Sequence, residues 1–565
     1  MQKWGAFALF TVMRHKTYWI RPVAMAVCAG LGIATQALAQ SMVVKPQGQF
    51  DQWSYKDPAT DSIPGISLDK AYQLLKGRKS VPVTVGVVDS GIDIAHEDLR
   101  DVVWVNPNEK PGNNADDDKN GYVDDLNGWN FMGAKDGTTY EADQDEVTQI
   151  ITLWEPKYGN ADRTKLSPAQ QKQYDIYQKA KARVGEADSR FAYWRYVVRD
   201  QTRYEAGIDQ VIQAVKDKPF SAESIASAEV GKDSAALGAR SFMSELFMAQ
   251  FGTFQNMGDR LKLVYSRLKP LLEGEIDKHE KEVATAKNGR KAVGDNPDDP
   301  TERYYGSPKL VIGNSEELAM HGTHVAGIIG AKRGNNVGVD GVADNVRLMM
   351  VGVVPSGGDE RDKDVANGIR YAVDNGAKVI NMSFGKRFSP YKDAVDAAIR
   401  YAESKDVLLV HAAGNNAENV DSLPTYPRPQ YEDGQLAKNY ITVGNSTRRM
   451  DSGLPASSSN YGQTSVDLFA PGTDIDATTP HSTYQSLTGT SMAAPCVAGV
   501  AALLRSYFPK LTAVQVKEIL MKSAYKPDIM VRVPGTNRMA PFSTLSISGG
   551  IVNAAEAVKL AMTVK

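Results

Sequence analysis

Three short blocks of this chain carry a carboxylate, an imidazole and a hydroxyl, in that order. Val87-Val88-Asp89-Ser90-Gly91-Ile92-Asp93 comes first and His321-Gly322-Thr323-His324-Val325-Ala326-Gly327 second. Gly489-Thr490-Ser491-Met492-Ala493-Ala494-Pro495 is the third. A hydroxyl attacks an amide carbonyl only when a base takes its proton and an anion holds that base in the right tautomer. Ser491 is then the nucleophile, His321 the general base and Asp89 the orienting carboxylate. Asp93 is a rival carboxylate, but it lies past Gly91 in a turn, where an Asx-type backbone bond is the expected job. His324 follows one helical turn after His321 and invites a metal-pair reading, as in a metallohydrolase. No glutamate stands beside His321 as a zinc-binding helix would need, so a packed histidine is expected.

These groups need elements to hold them. Val81–Val88 is β-rich, lies between Pro82 and Gly91, and reads as a buried parallel strand ending at Asp89. From Arg347 onward strands and helices alternate: strands at 348–353, 379–382 and 407–412, helices at 362–375 and 391–404. Such alternation predicts an α/β fold, a doubly wound parallel sheet with helices on both faces. Catalytic groups in such a sheet gather at the carboxyl ends of strands and the helix starts that follow. That places Asp89 after its strand, His321 at a helix start, and Ser491 at the head of the apolar helix running through 497–504.

All three blocks, together with Gly128-Trp129-Asn130-Phe131, resemble the subtilisin-like serine peptidases, or subtilases, over about residues 60–133 and 305–560. The resemblance assigns catalysis to Asp89 rather than Asp93. It also gives Asn415, in Ala412-Ala413-Gly414-Asn415, the role of oxyanion-hole amide. Ser383-Phe384-Gly385 resembles the segment that pairs with an extended substrate as a strand. Ala412, Ala413 and Gly414 would line one wall of the primary specificity pocket, roomy enough for large apolar side chains. The activity implied is a serine endopeptidase acting on protein or peptide substrates. A catalytically silent binding protein on the same fold is the alternative, and the intact catalytic set argues against it.

Asp116-Asp117-Asp118-Lys119-Asn120-Gly121-Tyr122-Val123-Asp124-Asp125 has alternating oxygen donors and a turn glycine, which suit a hard cation such as Ca²⁺. Asp116, Asp118, Asn120 and Asp124 are the expected ligands of a structural calcium; no catalytic metal is expected. The spacing begins like an EF-hand, but its twelfth position is Asn127 instead of glutamate.

Between these blocks, residues 134–304 break the pattern. The stretch 168–215 and a second run at 241–286 have helical spacing, so an α-helical insertion is expected, lying between the peptidase segments 66–133 and 305–565. It supplies no nucleophile, base or oxyanion donor and reads as an accessory. Residues 1–39 read as a signal peptide: Arg14, Lys16 and Arg21, then an apolar run, then Ala37-Leu38-Ala39. Export, extracellular or periplasmic, is the expectation, with residues 40–65 as an extension too short for a folded prodomain and no membrane span after cleavage. Cys28 and Cys496 are the two cysteines, so losing the signal leaves one and no internal disulfide. The bulky Val27 before Cys28 argues against lipidation there. Cys496 is expected to pack as a small hydrophobe. Lys+Arg of 65 against Asp+Glu of 67 gives a net charge of −2 over 565 residues, with no field to attract nucleic acid.

Overall fold

A computed structural model describes residues 50–138, 143–199, 201–217, 222–231, 293–310, 316–355 and 358–564, with scattered positions between 236 and 290. The signal segment with Cys28, and most of the 241–286 run, lie outside the described residues. The strands in chain order are β1 (Val83–Asp89), β2 (Gly128–Asn130), β3 (Val346–Gly352), β4 (Val379–Met382), β5 (Leu408–Ala412), β6 (Tyr440–Ser446) and β7 (Leu468–Pro471). Next come β8 (Ile475–Thr479), β9 (Thr483–Leu487), β10 (Met530–Arg532) and β11 (Met539–Pro541). The helices are α1 (Leu68–Leu75), α2 (Glu146–Tyr158), α3 (Pro168–Arg199), α4 (Gln201–Val215), α5 (Ala222–Ala226), α6 (Glu316–Gly330), α7 (Asp362–Asp374) and α8 (Lys392–Ser404). They continue with α9 (Thr490–Tyr507), α10 (Ala513–Ser523) and α11 (Ala554–Ala561).

Seven strands form one sheet in the order β2-β3-β1-β4-β5-β6-β7, and every neighbouring pair in it is parallel. β1 is buried except for the half-buried Thr84, as a strand covered on both faces must be. Helices α6 and α9 pack together and against β1, while α7 and α8 pair with each other and lie on β3, β1 and β5. The expected doubly wound sheet is therefore present. From β1 the chain builds to one side through β3 and to the other through β4. The crevice at such a reversal, beyond the strand ends, is where α/β sheets bind ligands. Asp89 ends β1 there, and Ser383 follows β4.

Contacts gather Val43–Ala180 with Thr285–Lys565 into one compact unit and Lys181–Ala284 into another. The residues following Met132 thus begin inside the sheet-bearing unit. Ile150, Trp154 and Tyr158 of α2 form an apolar cluster with Tyr177 and Ala180 of α3, against which Phe388 and Tyr391 pack. Cys496 is fully buried in α9. Its Sγ lies 3.4 Å from the Pro471 carbonyl oxygen, and burial pushes the thiol up to about 12. The expected small buried cysteine is what the fold contains.

Candidate active site

Asp89 is 1% exposed at the end of β1, and His321, on α6, keeps 37% of its side-chain surface exposed. The carboxylate oxygen Oδ1 lies 2.7 Å from His321 Nδ1 and also accepts the Ser90 backbone N–H at 2.7 Å. With Nδ1–H donating to a carboxylate, the imidazole presents Nε2 as the basic nitrogen. Burial works against a charged ring, but the Asp89 anion outweighs it, and the pKa of His321 lies above the usual histidine value. Gly322 makes the approach possible: a Cβ there would sit 1.9 Å from the Gly91 carbonyl oxygen. Asp93 does local work, accepting the Ala95 and His481 backbone N–H groups at 3.0 and 2.9 Å. His324 is fully buried with Nε2 3.0 Å from the Gln485 carbonyl oxygen, and burial lowers its pKa to about 4. It is a packed neutral histidine.

Ser491 is the second residue of α9. Its Oγ donates to the Ser383 carbonyl oxygen at 3.1 Å, while Ser383 Oγ donates back to the Ser491 carbonyl oxygen at 2.9 Å. The second bond has a cause in the sequence. Pro495, four residues on, has no N–H, so the Ser491 carbonyl lacks its helical donor and the Ser383 hydroxyl supplies one. Asn381 Nδ2 in turn holds that hydroxyl at 2.9 Å.

Asn415 is fixed by its oxygen. Oδ1 accepts from the Thr490 backbone N–H at 2.8 Å and from Thr490 Oγ1 at 3.0 Å, leaving the amide NH₂ turned towards Gly489. Thr490 Oγ1 also accepts the Gly414 N–H at 3.1 Å. Gly414 adopts φ +101°, and a Cβ there would stand 2.5 Å from Asn460 Nδ2. Ala412 and Ala413 are buried behind it. The strand ends, the head of α9 and the Gly-Asn turn thus converge on Ser491. Sequence reasoning missed Thr490 and Pro495 as the parts that aim this site, although both lie inside the quoted block.

The acidic loop is arranged differently from the expected ligand set. Carboxylate oxygens of Glu109, Asp118 and Asp125 lie within 4.8 Å of one another. Asn120 joins them, donating its side-chain N–H groups to Asp118 at 3.2 Å and Asp125 at 2.9 Å. Asp116 instead accepts the Asn120 and Gly121 backbone N–H groups, and Asp124 those of Asn113 and Asn114. Burial raises Asp125 to about 6. Glu109 Oε2 is buried without a hydrogen-bond partner.

Directly after Ser383-Phe384-Gly385, the Lys386 ammonium is buried between Glu146 at the start of α2 and Asp362 at the start of α7, the latter at 2.8 Å. It also donates to the Glu360 carbonyl oxygen at 2.7 Å. One cation among three buried carboxylates keeps Lys386 charged and crowds the acids, and burial raises Glu360 to about 8. No sequence signal announced this cluster.

The Asp89–His321 pair at the end of β1 and Ser491 at the head of α9, bonded to the segment that follows β4, lie at the carboxyl side of one parallel sheet. The family model of the subtilases, peptidase family S8, matches residues 199–548, more than half of the chain, and the chain belongs to that family. The matched part holds His321, Asn415 and Ser491; Asp89 lies before it. Thermitase of Thermoactinomyces vulgaris is 42% identical over 186 residues, which cover 33% of this chain and 61% of thermitase. The thermophilic serine proteinase of Bacillus sp. (strain AK1) is 42% identical over 190 residues, 34% of this chain and 43% of that protein. The chain thus spans less than two thirds of either relative. A solved protease structure from Pseudoalteromonas arctica is 31% identical and aligns over 43% of this chain and 70% of its own, with a TM-score of 0.35.

Proposed function

We propose that this chain is an exported serine endopeptidase that cleaves peptide bonds through Asp89, His321 and Ser491. The observation that carries the reading is the 2.7 Å bond between His321 Nδ1 and the buried Asp89; Ser491, at the head of α9, would complete the set. In the first step Ser491 Oγ turns from the Ser383 carbonyl and attacks the scissile carbonyl carbon, while His321 Nε2 takes its proton. Asp89 holds the resulting imidazolium. The carbonyl oxygen becomes an anion within reach of the Asn415 NH₂ group, which Thr490 has already aimed. Collapse breaks the C–N bond, and His321 returns its proton to the departing amine. Water then attacks the acyl-serine ester by the same route, His321 taking its proton and releasing it to Ser491.

Ser383, Phe384 and Gly385 would pair with substrate as an edge strand, giving affinity through main-chain bonds. Ala412, Ala413 and Gly414 would wall the pocket for the residue whose carbonyl is cleaved. Export rests on the basic and apolar pattern of residues 1–39. Among the described residues no helix is long and apolar enough to cross a membrane.

A structural calcium fits the acidic loop because Glu109 Oε2 is a buried oxygen in need of a positive partner. Glu109, Asp118 and Asp125 would hold it, in place of Asp116 and Asp124, and it would stabilise the native state without touching the reaction.

The test is a fluorophosphonate probe together with a peptide substrate. Wild type should label at Ser491 and cleave, whereas Ser491→Ala should do neither. Retention of a tenth of the wild-type kcat by that variant would remove the triad assignment.

A further inference from the structure

β4 and β5 run in parallel register from Val379 opposite Leu408 to Met382 opposite His411, and there the ladder stops. β5 continues on its other side, where Ala412 pairs with Val443 and the Ala413 N–H donates to the Val443 carbonyl oxygen at 2.9 Å. The chain after Met382 parts from β5, so that Ser383–Gly385 and Ala412–Gly414 are the segments that follow the two strands beyond that divergence. Main-chain groups of successive residues in an extended segment face opposite ways. The Ser383 carbonyl faces Ser491, so that of Phe384 faces back towards β5, where its ladder donor has gone.

His411 fills that gap. It is 2% exposed, and its Nε2 lies 2.7 Å from the Phe384 carbonyl oxygen. A carbonyl can only accept, so Nε2 carries the proton and donates. The imidazole ring stands edge-on to the Phe384 ring at 6.3 Å and tilted to Tyr440 at 5.8 Å. It also lies close under Gly385, where a Cβ would be 3.6 Å from Nε2. The next residue, Lys386, is separately anchored, so His411 is the tie at the middle of the segment.

We propose that His411 is a positioning residue that sets how far Ser383-Phe384-Gly385 stands from the Ala412–Gly414 wall, and thereby sets selectivity for the side chain held between them. This rests on the reading of those two segments as the substrate cleft. The test compares His411→Leu, His411→Gln and His411→Asn in the full chain. Gln can place an N–H near the Nε2 position, Asn is too short to reach it, and Leu has none. Measured are melting temperature, fluorophosphonate labelling rate, and kcat and KM for peptides with Phe or Ala on the acyl side of the cleaved bond. His411→Leu and His411→Asn should change the Phe-to-Ala ratio of kcat/KM by about tenfold or more, mainly through KM. Labelling by the small probe should stay within about threefold of wild type. His411→Gln should restore the ratio. If folded Gln and Asn variants are equally altered, or if neither shifts the ratio, the proposal is overturned; this comparison stands even where Leu prevents folding. A wild type that neither labels nor cleaves would overturn the functional reading as well, and that is seen before any variant is made.

Discussion

In the proposed reaction Asn415 would offer its amide as negative charge develops on the substrate oxygen, while Thr490 holds the other end of the side chain. Asn415→Ala should therefore lower kcat by about 10²–10³-fold with little change in KM, the size known for losing such a donor in a subtilisin. A loss confined to KM would mean that Asn415 binds ground-state substrate. His321 gives a second expectation. As the proposed base it would have to be neutral to accept the Ser491 proton, and Asp89 holds its pKa above the ordinary histidine value. Activity should thus fall on the acid side with a midpoint above about 6.5. Asp89→Asn removes the anion, so the midpoint should move down and kcat should drop, by about 10⁴-fold on the precedent of another triad. An acid limb that does not move in a kcat/KM profile would detach Asp89 from His321. At this scale the sequence was most legible where one block holds all the parts, as in Gly489–Pro495. It was least legible where partners are remote. Nothing near His411 in sequence signals the Phe384 carbonyl, and Glu109 lies before the acidic run that it completes.

The segment between Asp89 and His321 shows the same contrast among elements. Helices α3 and α4 fall within the 168–215 stretch whose spacing is helical, and the strands around the segment were placed within a residue or two. Its attachment was not legible, because long-range charge pairs leave no periodic trace. The first part is built into the sheet-bearing unit: Glu146 of α2 meets the buried Lys386, and Trp154 and Tyr158 pack near Tyr391. The last part returns with Arg290, whose guanidinium is paired with Asp295 at 2.7 Å and with Asp364 of α7. Replacing about residues 140–300 by a flexible linker, which an accessory insertion should tolerate, would strip Glu146 from Lys386, which keeps Asp362, and would leave Asp364 without the Arg290 cation. Leaving a buried charge without its partner costs about 3–5 kcal/mol. A linker replacing Lys181–Ala284 alone should keep a cooperative melt and probe labelling, while the longer replacement should lose both. Equal melting temperatures for the two would show that these buried pairs contribute little.

Within the sheet-bearing unit, seven parallel strands and their covering helices enclose one large apolar core. The thiol of Cys496 sits inside that core with no exposed surface, against the Pro471 carbonyl and with its pKa near 12. An alkylating reagent needs a thiolate in water, so native protein should resist iodoacetamide and peptide mapping should find Cys496 unmodified. Modification should begin only as α9 leaves the sheet, at a rate that rises with denaturant in step with global unfolding. Fast labelling in buffer would instead reveal a local opening beneath Ser491. The buried sulfur thus serves as an internal clock, timing how often the helix that presents Ser491 comes off its seat.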